Sequence, residues 1–200
     1  MKQGFVKVAS ATPRIRVADP VYNAQVICEQ AKEAAEHGAK IVVFPELCIT
    51  GYTCNDLFLQ ELLLEKAKEA LLTIAEETGQ LETLFLVGLP VDKDGRLYNV
   101  AAVLYRGRIL GMIPKKNIPM YAEFYEGRHF TPGEETVTEY RLGKQVIPFG
   151  SNLLFRCEEL PELILGCELC EDLWVAEPPS TSHALMGATV IANLSASNDR

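Results

Sequence analysis

The segment Leu163–Ser180 reads LILGCELCEDLWVAEPPS, an apolar run followed by a thiol, two carboxylates and the single tryptophan of the chain. The apolar residues predict a buried strand. Pro178 and Pro179 prevent that strand from continuing, because proline has no N–H to donate to a sheet. Cys170 is therefore expected at the end of a strand, where a reactive side chain can meet a ligand.

Two further interpretations of this segment are open, because Cys167 and Cys170 have the spacing of a redox pair or of half a zinc site. No second pair with matching spacing occurs, however, and the three histidines lack ligand spacing. Side chains three positions apart in a strand point to opposite faces, which favours one core thiol and one exposed thiol. We expect no metal site.

The composition indicates one globular domain. The 200 residues are 48% hydrophobic and 8% aromatic, which is enough for a sizeable core. A net charge of -8 without a clustered basic patch argues against nucleic acid or an anionic membrane as the main partner. The N-terminus lacks the apolar core of a signal peptide, and no run of about 18 apolar residues occurs. A cytoplasmic protein with reduced cysteines is expected.

Apolar periodicity predicts alternating strands and helices in the first half of the chain. A strand at 5–9 precedes a helix that begins at Asp19-Pro20 and ends at His37-Gly38. The run at 41–44 is typical of a strand buried on both faces. Asp56 is predicted to cap a second helix, and a further buried strand follows at 84–89.

The second half is predicted to add antiparallel strands. The apolar runs at 99–105 and 108–113 flank Arg106-Gly107, a two-residue connection suited to a β-hairpin. A long aromatic and charged loop at 115–130 has the composition of a functional or mobile segment. Short β runs follow, then a helix capped by Ser180 and a last strand at 189–194. The pattern as a whole predicts an α/β fold.

Three chemically active side chains follow apolar runs and could meet at one edge of the sheet. These are Glu46, either Lys115 or Lys116, and Cys170. A cysteine that attacks a carbonyl needs a base or a positive charge nearby, and the resulting oxyanion needs donors. The same glutamate could instead cap a helix or lie on the surface, and the lysines could be plain surface charge.

Four motifs resemble the nitrilase-like carbon–nitrogen hydrolases, and more narrowly the glutaminase domains of glutamine-dependent NAD synthetases. The motifs are Phe44–Leu47, Pro114-Lys115, Tyr121–Glu126, and Cys170–Val175 with Pro178–Ser180. The resemblance runs from Phe5 to Ser197. It implies a nitrilase-type four-layer α-β-β-α sandwich truncated at the C-terminus. Residues 1–200 would then be the N-terminal part of that domain, without its C-terminal end and without the ATP-dependent synthetase domain.

The resemblance also implies a role for each site residue. Glu46 would be the general base, Lys115 would stabilise the tetrahedral intermediate, and Cys170 would be the nucleophile. Glu123 falls where the family has a second carboxylate, which would orient Lys115. The preceding proline and the spacing to Tyr121 favour Lys115 over Lys116. The glutamine pocket would be shaped by Tyr52, Tyr121, Phe124, Glu171 and Ser197.

The function implied by the resemblance is hydrolysis of the glutamine amide through a cysteine thioester. The ammonia would serve the ATP-dependent amidation of nicotinic acid adenine dinucleotide to NAD. Glutamine hydrolysis would need no cofactor, whereas ATP and Mg would be needed only by the missing synthetase domain. The expected partners are glutamine, that domain and further copies of the chain in a homo-oligomer. A stand-alone amidase or carbamoylase, or an inactive structural fragment, are the alternatives.

Overall fold

Two β-sheets packed face to face form the centre of the protein in the computed structural model, which describes residues 4–197. In chain order the elements are β1 (Val8–Ser10), α1 (Pro20–Glu36), β2 (Ile41–Val43), α2 (Glu61–Glu77), β3 (Leu84–Lys93), β4 (Arg96–Tyr105), β5 (Arg108–Pro114), β6 (Thr138–Leu142), β7 (Gln145–Phe149), β8 (Leu154–Arg156), β9 (Ile164–Leu169), α3 (Pro179–Leu185) and β10 (Val190–Leu194). The larger sheet has the order β1-β2-β3-β4-β5-β7-β6, and the smaller has the order β10-β9-β8.

The strands of the larger sheet are apolar on both faces because both faces are covered. In β3, Phe85 and Val87 belong to the cluster that contains most of the buried apolar residues of α1 and α2. Leu86, between them, belongs to the cluster that joins the two sheets. This alternation follows from the two-residue period of a strand. The smaller sheet is covered in turn by α3, whose His183 packs against Gly166. The layers are therefore α-β-β-α, as the resemblance implied.

The topology brings three strand ends to one region. β1, β2 and β3 are parallel, whereas β4 is antiparallel to both β3 and β5. β5 consequently runs in the same direction as β2, and their carboxyl ends lie at the same edge of the larger sheet. In the smaller sheet β9 and β10 are parallel. The loops that follow β2, β5 and β9 carry the polar residues of the site.

Several local predictions are confirmed. Asp19 is the N-cap of α1 and accepts a hydrogen bond from Tyr22 N at 3.1 Å. The hairpin at Arg106-Gly107 forms, with φ values of 47° and 76° that suit a type I′ turn. A second hairpin at Asp94-Gly95 connects β3 to β4 and was not predicted.

Other local predictions are wrong. Asp56 does not cap α2, which begins at Glu61. Residues 52–59 form irregular 3-10 turns, so Asp56 lies well before the start of α2. Its carboxylate binds Arg128 and His129 instead. Ser180 lies inside α3 rather than at its cap. For Asp56 a distant partner binds the group that the local pattern assigned to a cap, and for Ser180 the helix begins one residue earlier, at Pro179. Within residues 4–197, no helix has the length and apolarity needed to span a bilayer.

Candidate active site

Glu46 is held at the end of β2 by a tight backbone contact. The loop after β2 lies so close to β3 that a Cβ on Gly88 would come within 2.7 Å of Pro45 O. Leu47 adopts a left-handed φ of 52°, which turns the chain immediately after the glutamate. Glu46 is only 2% exposed, so this loop places a carboxylate inside the protein rather than on its surface.

Lys115 follows β5 and is fully buried between two carboxylates. Its backbone N–H donates to Asn99 O at 2.8 Å, which continues the pairing of β5 with β4. Its Nζ lies 2.7 Å from Glu46 Oε1 and 2.6 Å from Glu126 Oε1. One ammonium and two carboxylates without solvent access form a cluster that we call the buried charge triad (Glu46, Lys115 and Glu126).

The second carboxylate that the structure places on Lys115 is Glu126, whereas the resemblance assigned a carboxylate beside Lys115 to Glu123, whose role stays a prediction. Glu126 is 5% exposed and begins a short 3-10 turn, whereas Glu123 is exposed. The turn is drawn inward by Phe130, whose ring packs 5.0 Å from that of Phe58. The loop from 115 to 125 has no helical or strand periodicity, so no local rule indicates which of its glutamates faces inward.

Asn99 and Tyr52 complete the hydrogen bonding of the buried charge triad. Asn99 Nδ2 donates to Glu46 Oε1 at 2.7 Å and to Glu126 Oε2 at 3.3 Å. Tyr52 OH donates to Glu126 Oε1 at 2.8 Å. Both oxygens of Glu126 are thereby occupied. Oε2 of Glu46, by contrast, is buried and has no hydrogen-bond partner among the described residues.

Cys170 follows β9 and begins the 3-10 turn Cys170–Trp174. Its φ of 40° is left-handed, an uncommon conformation for a residue with a Cβ and one that recurs at functional sites. Burial raises the pKa of the thiol, and the negative charge of Glu46 raises it further. Lys115 and the hydroxyl of Ser197, 3.8 Å away, act in the opposite direction. The thiol therefore keeps its proton at neutral pH and needs a base to become a nucleophile.

The pKa values within the buried charge triad respond to burial and to mutual attraction. Burial raises the pKa of Glu46, and the nearby charge of Lys115 only partly opposes that shift. Burial disfavours the charged form of Lys115, but the two carboxylates outweigh it and raise its pKa. The pKa values of Lys115 and Glu46 are therefore both above their usual ranges, so Glu46 is a stronger base than an exposed glutamate.

Asp172 ties the loop after Lys115 to the turn that carries Cys170. It is 1% exposed and accepts hydrogen bonds from Asn117 N at 2.7 Å, Lys116 N at 3.2 Å and Leu169 N at 3.1 Å. The first two donors belong to the larger sheet's loop and the third to the end of β9. One carboxylate thereby links the two sheets directly beside Cys170.

The amino-acid sequence of the chain matches a known family. The sequence profile of the carbon-nitrogen hydrolases matches residues 7–199. This chain belongs to the carbon-nitrogen hydrolase family. It is 42% identical over 196 residues to the glutamine-dependent NAD(+) synthetase of Mycobacterium tuberculosis (strain ATCC 25618 / H37Rv), covering 98% of this chain and 29% of the relative. The chain thus spans about three tenths of that relative's length.

Two solved structures have the same fold as this carbon-nitrogen hydrolase. The crystal structure of a glutamine-dependent NAD(+) synthetase from Cytophaga hutchinsonii has a TM-score of 0.84 at 30% identity, covering 96% of this chain and 30% of that one. NitN amidase from Neterenkonia sp. AN1 has a TM-score of 0.71 at 21% identity, covering 96% of this chain and 67% of that one. The second likeness concerns the fold alone.

The pocket residues expected from sequence lie around Cys170 in this carbon-nitrogen hydrolase. Tyr121 OH donates to Glu171 Oε2 at 2.7 Å, and this hydrogen bond raises the pKa of Tyr121. Phe124 contacts the rings of Tyr121 and Tyr52 edge-on, at 5.7 and 6.3 Å between centroids. The Tyr52 hydroxyl is already engaged by the buried charge triad, so only its ring is available to line a pocket.

Three site residues of this carbon-nitrogen hydrolase were missed in the sequence: Asn99, Glu126 and Asp172. Asn99 is a fully buried polar residue at the start of an otherwise apolar run, which is a usable signal. The other two gave none, because glutamates and aspartates are common in loops. Cys167 is fully buried between the sheets, and burial raises the pKa of its thiol. Within residues 4–197, no group of three or more His, Cys, Asp or Glu side chains is arranged to hold a metal.

Proposed function

We propose that this chain hydrolyses the side-chain amide of glutamine and supplies the ammonia to an NAD-synthesising domain. The observation that carries the proposal is the unpartnered, buried Oε2 of Glu46 close to a protonated Cys170. A general base needs a free lone pair, and among residues 4–197 this is the one carboxylate oxygen of the buried charge triad that has no hydrogen-bond partner at all. The 42% identity to a glutamine-dependent NAD(+) synthetase supports glutamine as the amide.

The reaction begins with transfer of the Cys170 proton to Glu46 as sulfur attacks the amide carbon. The tetrahedral intermediate carries its negative charge on oxygen. Protonated Glu46 then gives its proton to the leaving nitrogen, and the C–N bond breaks to release ammonia and leave a thioester. Water attacks the thioester while Glu46 takes its proton, and collapse returns that proton to sulfur with release of glutamate. The sum is glutamine plus water to glutamate plus ammonia.

Lys115 stabilises the oxyanion of both tetrahedral intermediates. Its ammonium is buried, and a fixed charge acts more strongly there than in water. The backbone N–H of Glu171, directly after the nucleophile, is a second donor for the same oxygen. Glu126 holds the ammonium of Lys115 in place and balances its charge. The ammonium is therefore shared between two carboxylates and does not form an ion pair with Glu46 alone.

Glutamine binds beside Cys170 against the side chains expected from sequence. Glu171 supplies a carboxylate for the α-ammonium of the substrate. Tyr121 orients that carboxylate through its hydroxyl, and the rings of Phe124 and Tyr52 provide apolar contact for the substrate's methylene groups. Ser197 lies next to the thiol.

The ammonia would be used by an ATP-dependent synthetase domain that amidates nicotinic acid adenine dinucleotide. ATP and Mg belong to that domain, and glutamine hydrolysis itself proceeds with protein side chains alone. Self-association into a homo-oligomer is part of the proposal and is measurable by light scattering. The six free thiols fit a reducing compartment such as the cytoplasm.

Labelling with an electrophilic glutamine analogue, such as a diazoketone, tests the nucleophile. We expect one label on Cys170, found by peptide mass spectrometry, and none in Cys170→Ala. Cys167→Ala is the matched control and should label like the wild type, because Cys167 is buried between the sheets. A label on Cys167 would contradict the assignment.

Replacement of Glu46 by Gln tests the base and the coupling to NAD synthesis. In the enzyme that carries the synthetase domain, Glu46→Gln should abolish glutamine-driven NAD formation and leave the ammonia-driven reaction intact. Loss of both reactions would argue against a role confined to ammonia supply. Hydrolysis of simple amides but not of glutamine would instead indicate a stand-alone amidase.

A further inference from the structure

Asn99 occupies a position where the strand pattern calls for an apolar residue. It lies in β4 on the face that continues through Ala101 and Val103, both of which pack between the two sheets. Its side chain is fully buried, and its Oδ1 has no hydrogen-bond partner among residues 4–197. An unpaired buried acceptor costs about 1–3 kcal/mol, so packing alone does not account for this residue.

The contacts of its amide nitrogen account for it. Nδ2 donates to Glu46 Oε1 and to Glu126 Oε2, so one neutral group bridges two carboxylates. Turning the amide over would place Oδ1 against both negative groups. The carboxylates therefore fix the orientation of the amide, even though its oxygen is left without a partner.

The bridge decides which oxygen of Glu46 is occupied. Lys115 Nζ and Asn99 Nδ2 both bind Oε1, each at 2.7 Å, which leaves Oε2 without a donor. Without Asn99, the carboxylate could rotate and share both oxygens with the ammonium. No oxygen of Glu46 would then be kept free of donors to take the proton of Cys170.

We propose that Asn99 is a positioning residue that keeps Oε2 of Glu46 free to take the proton of Cys170. This inference rests on the proposed function, in which Glu46 is the base. The same hydrogen bond stabilises the ionised carboxylate and so lowers the pKa of Glu46 against the effect of burial. Removing the donor must shift that pKa upward, and the acid limb of activity must shift with it.

The test compares Asn99→Leu, which keeps the volume but has no donor, with the wild type. We expect kcat for glutamine hydrolysis to fall by about tenfold to a hundredfold, since misdirection of a catalytic group has effects of this size. KM should change by less than about threefold. The acid limb of the kcat profile should move to higher pH. Asn99→Asp, which adds a third carboxylate, should move it further in the same direction.

Asn23→Leu is the matched control. Asn23 is also fully buried and donates through Nδ2, but to the carbonyls of Arg16 and Ile49. Its replacement should lower stability and leave the acid limb in place. A limb that stays in place in both Asn99 variants would overturn the inference, and Asn99→Asp keeps the test available if Asn99→Leu does not fold.

A second readout separates this inference from the proposed function. In protein labelled with ¹³Cδ-glutamate, the Glu46 signal is assigned by its absence in Glu46→Gln, and its titration midpoint is measured by NMR without any substrate. A higher midpoint in Asn99→Leu supports the positioning role even if glutamine is not hydrolysed. An unchanged midpoint refutes it even if glutamine is hydrolysed.

Discussion

The Asp172→Asn substitution should weaken the link between the two sheets without changing the shape of the side chain. Asp172 accepts hydrogen bonds from three backbone N–H groups and from Asn117 Nδ2, all through its two oxygens. An amide has only one oxygen, so its NH₂ group must face at least one of these donors. The orientation that keeps Lys116 and Asn117 bound leaves Leu169 N–H without an acceptor.

The magnitude follows from this loss. A buried N–H without a partner costs about 1–3 kcal/mol, and the remaining bonds lose the strength that the charge supplies, about 1 kcal/mol more. Burial of the charged carboxylate is itself unfavourable, which is why it raises the pKa of Asp172. A neutral amide avoids this unfavourable burial of charge, and that offsets part of the cost. The net destabilisation should be about 1–3 kcal/mol, or roughly 0.5–1.5 M in the urea midpoint at an m value near 2 kcal/mol/M.

Urea unfolding followed by circular dichroism measures the midpoint, and labelling of Cys170 by the glutamine analogue reports on the site. The labelling rate should fall as well, since the turn that carries Cys170 loses its connection to the loop after Lys115. Asp56→Asn is the control, because Asp56 is an exposed carboxylate that also links two loops. The Asp56→Asn substitution should change the urea midpoint and the labelling rate much less than Asp172→Asn does. A midpoint for Asp172→Asn within about 0.3 M of the wild type would refute the reasoning.

Three further predictions concern the buried charge triad and its support. Glu126→Gln should lower kcat at least about a hundredfold, because Lys115 loses a charged partner, whereas Glu123→Gln should change kcat less than about threefold; equal effects in steady-state assays would contradict the assignment of Glu126. Gly88→Ala should lower Tm by roughly 6–12 °C, corresponding to about 3 kcal/mol, because the added Cβ clashes with the loop that carries Glu46. A change in Tm under about 2 °C, measured by calorimetry, would show that this loop moves to accommodate the Cβ. Wild-type kcat should fall on the acid side with a midpoint above about 4.3, the ordinary glutamate value, since burial raises the pKa of Glu46 and the base must be ionised.

Much of the fold could be predicted because its signals are local. Asp19 accepts from an N–H three residues later, and Arg106-Gly107 closes a hairpin between adjacent strands. Such contacts depend on the residues beside them in the chain. The prediction for Asp56 failed because its carboxylate binds Arg128 and His129, which lie more than 70 residues further along the chain. No pattern of neighbouring residues indicates such a contact.

The same distinction applies to the site. Glu46, Lys115 and Cys170 follow strongly apolar strands, and the direction of those strands brings their ends together. The contact of Glu126 with Lys115 could not be predicted, because it depends on how Phe130 anchors an aperiodic loop. No feature of the residues around Asp172 in the sequence indicates that its carboxylate accepts hydrogen bonds from the backbone of the loop after Lys115.

The sequence by itself determined the family, the layered α/β fold and three side chains at strand ends, since apolar periodicity and motif spacing are properties of neighbouring residues. Only the tertiary structure decided which carboxylate binds Lys115, which oxygen of Glu46 is left to act as a base, and that Asn99 makes that selection. These are contacts between residues 11 to 69 positions apart. Donors and acceptors at such separations are matched only when the two sheets and their loops have packed.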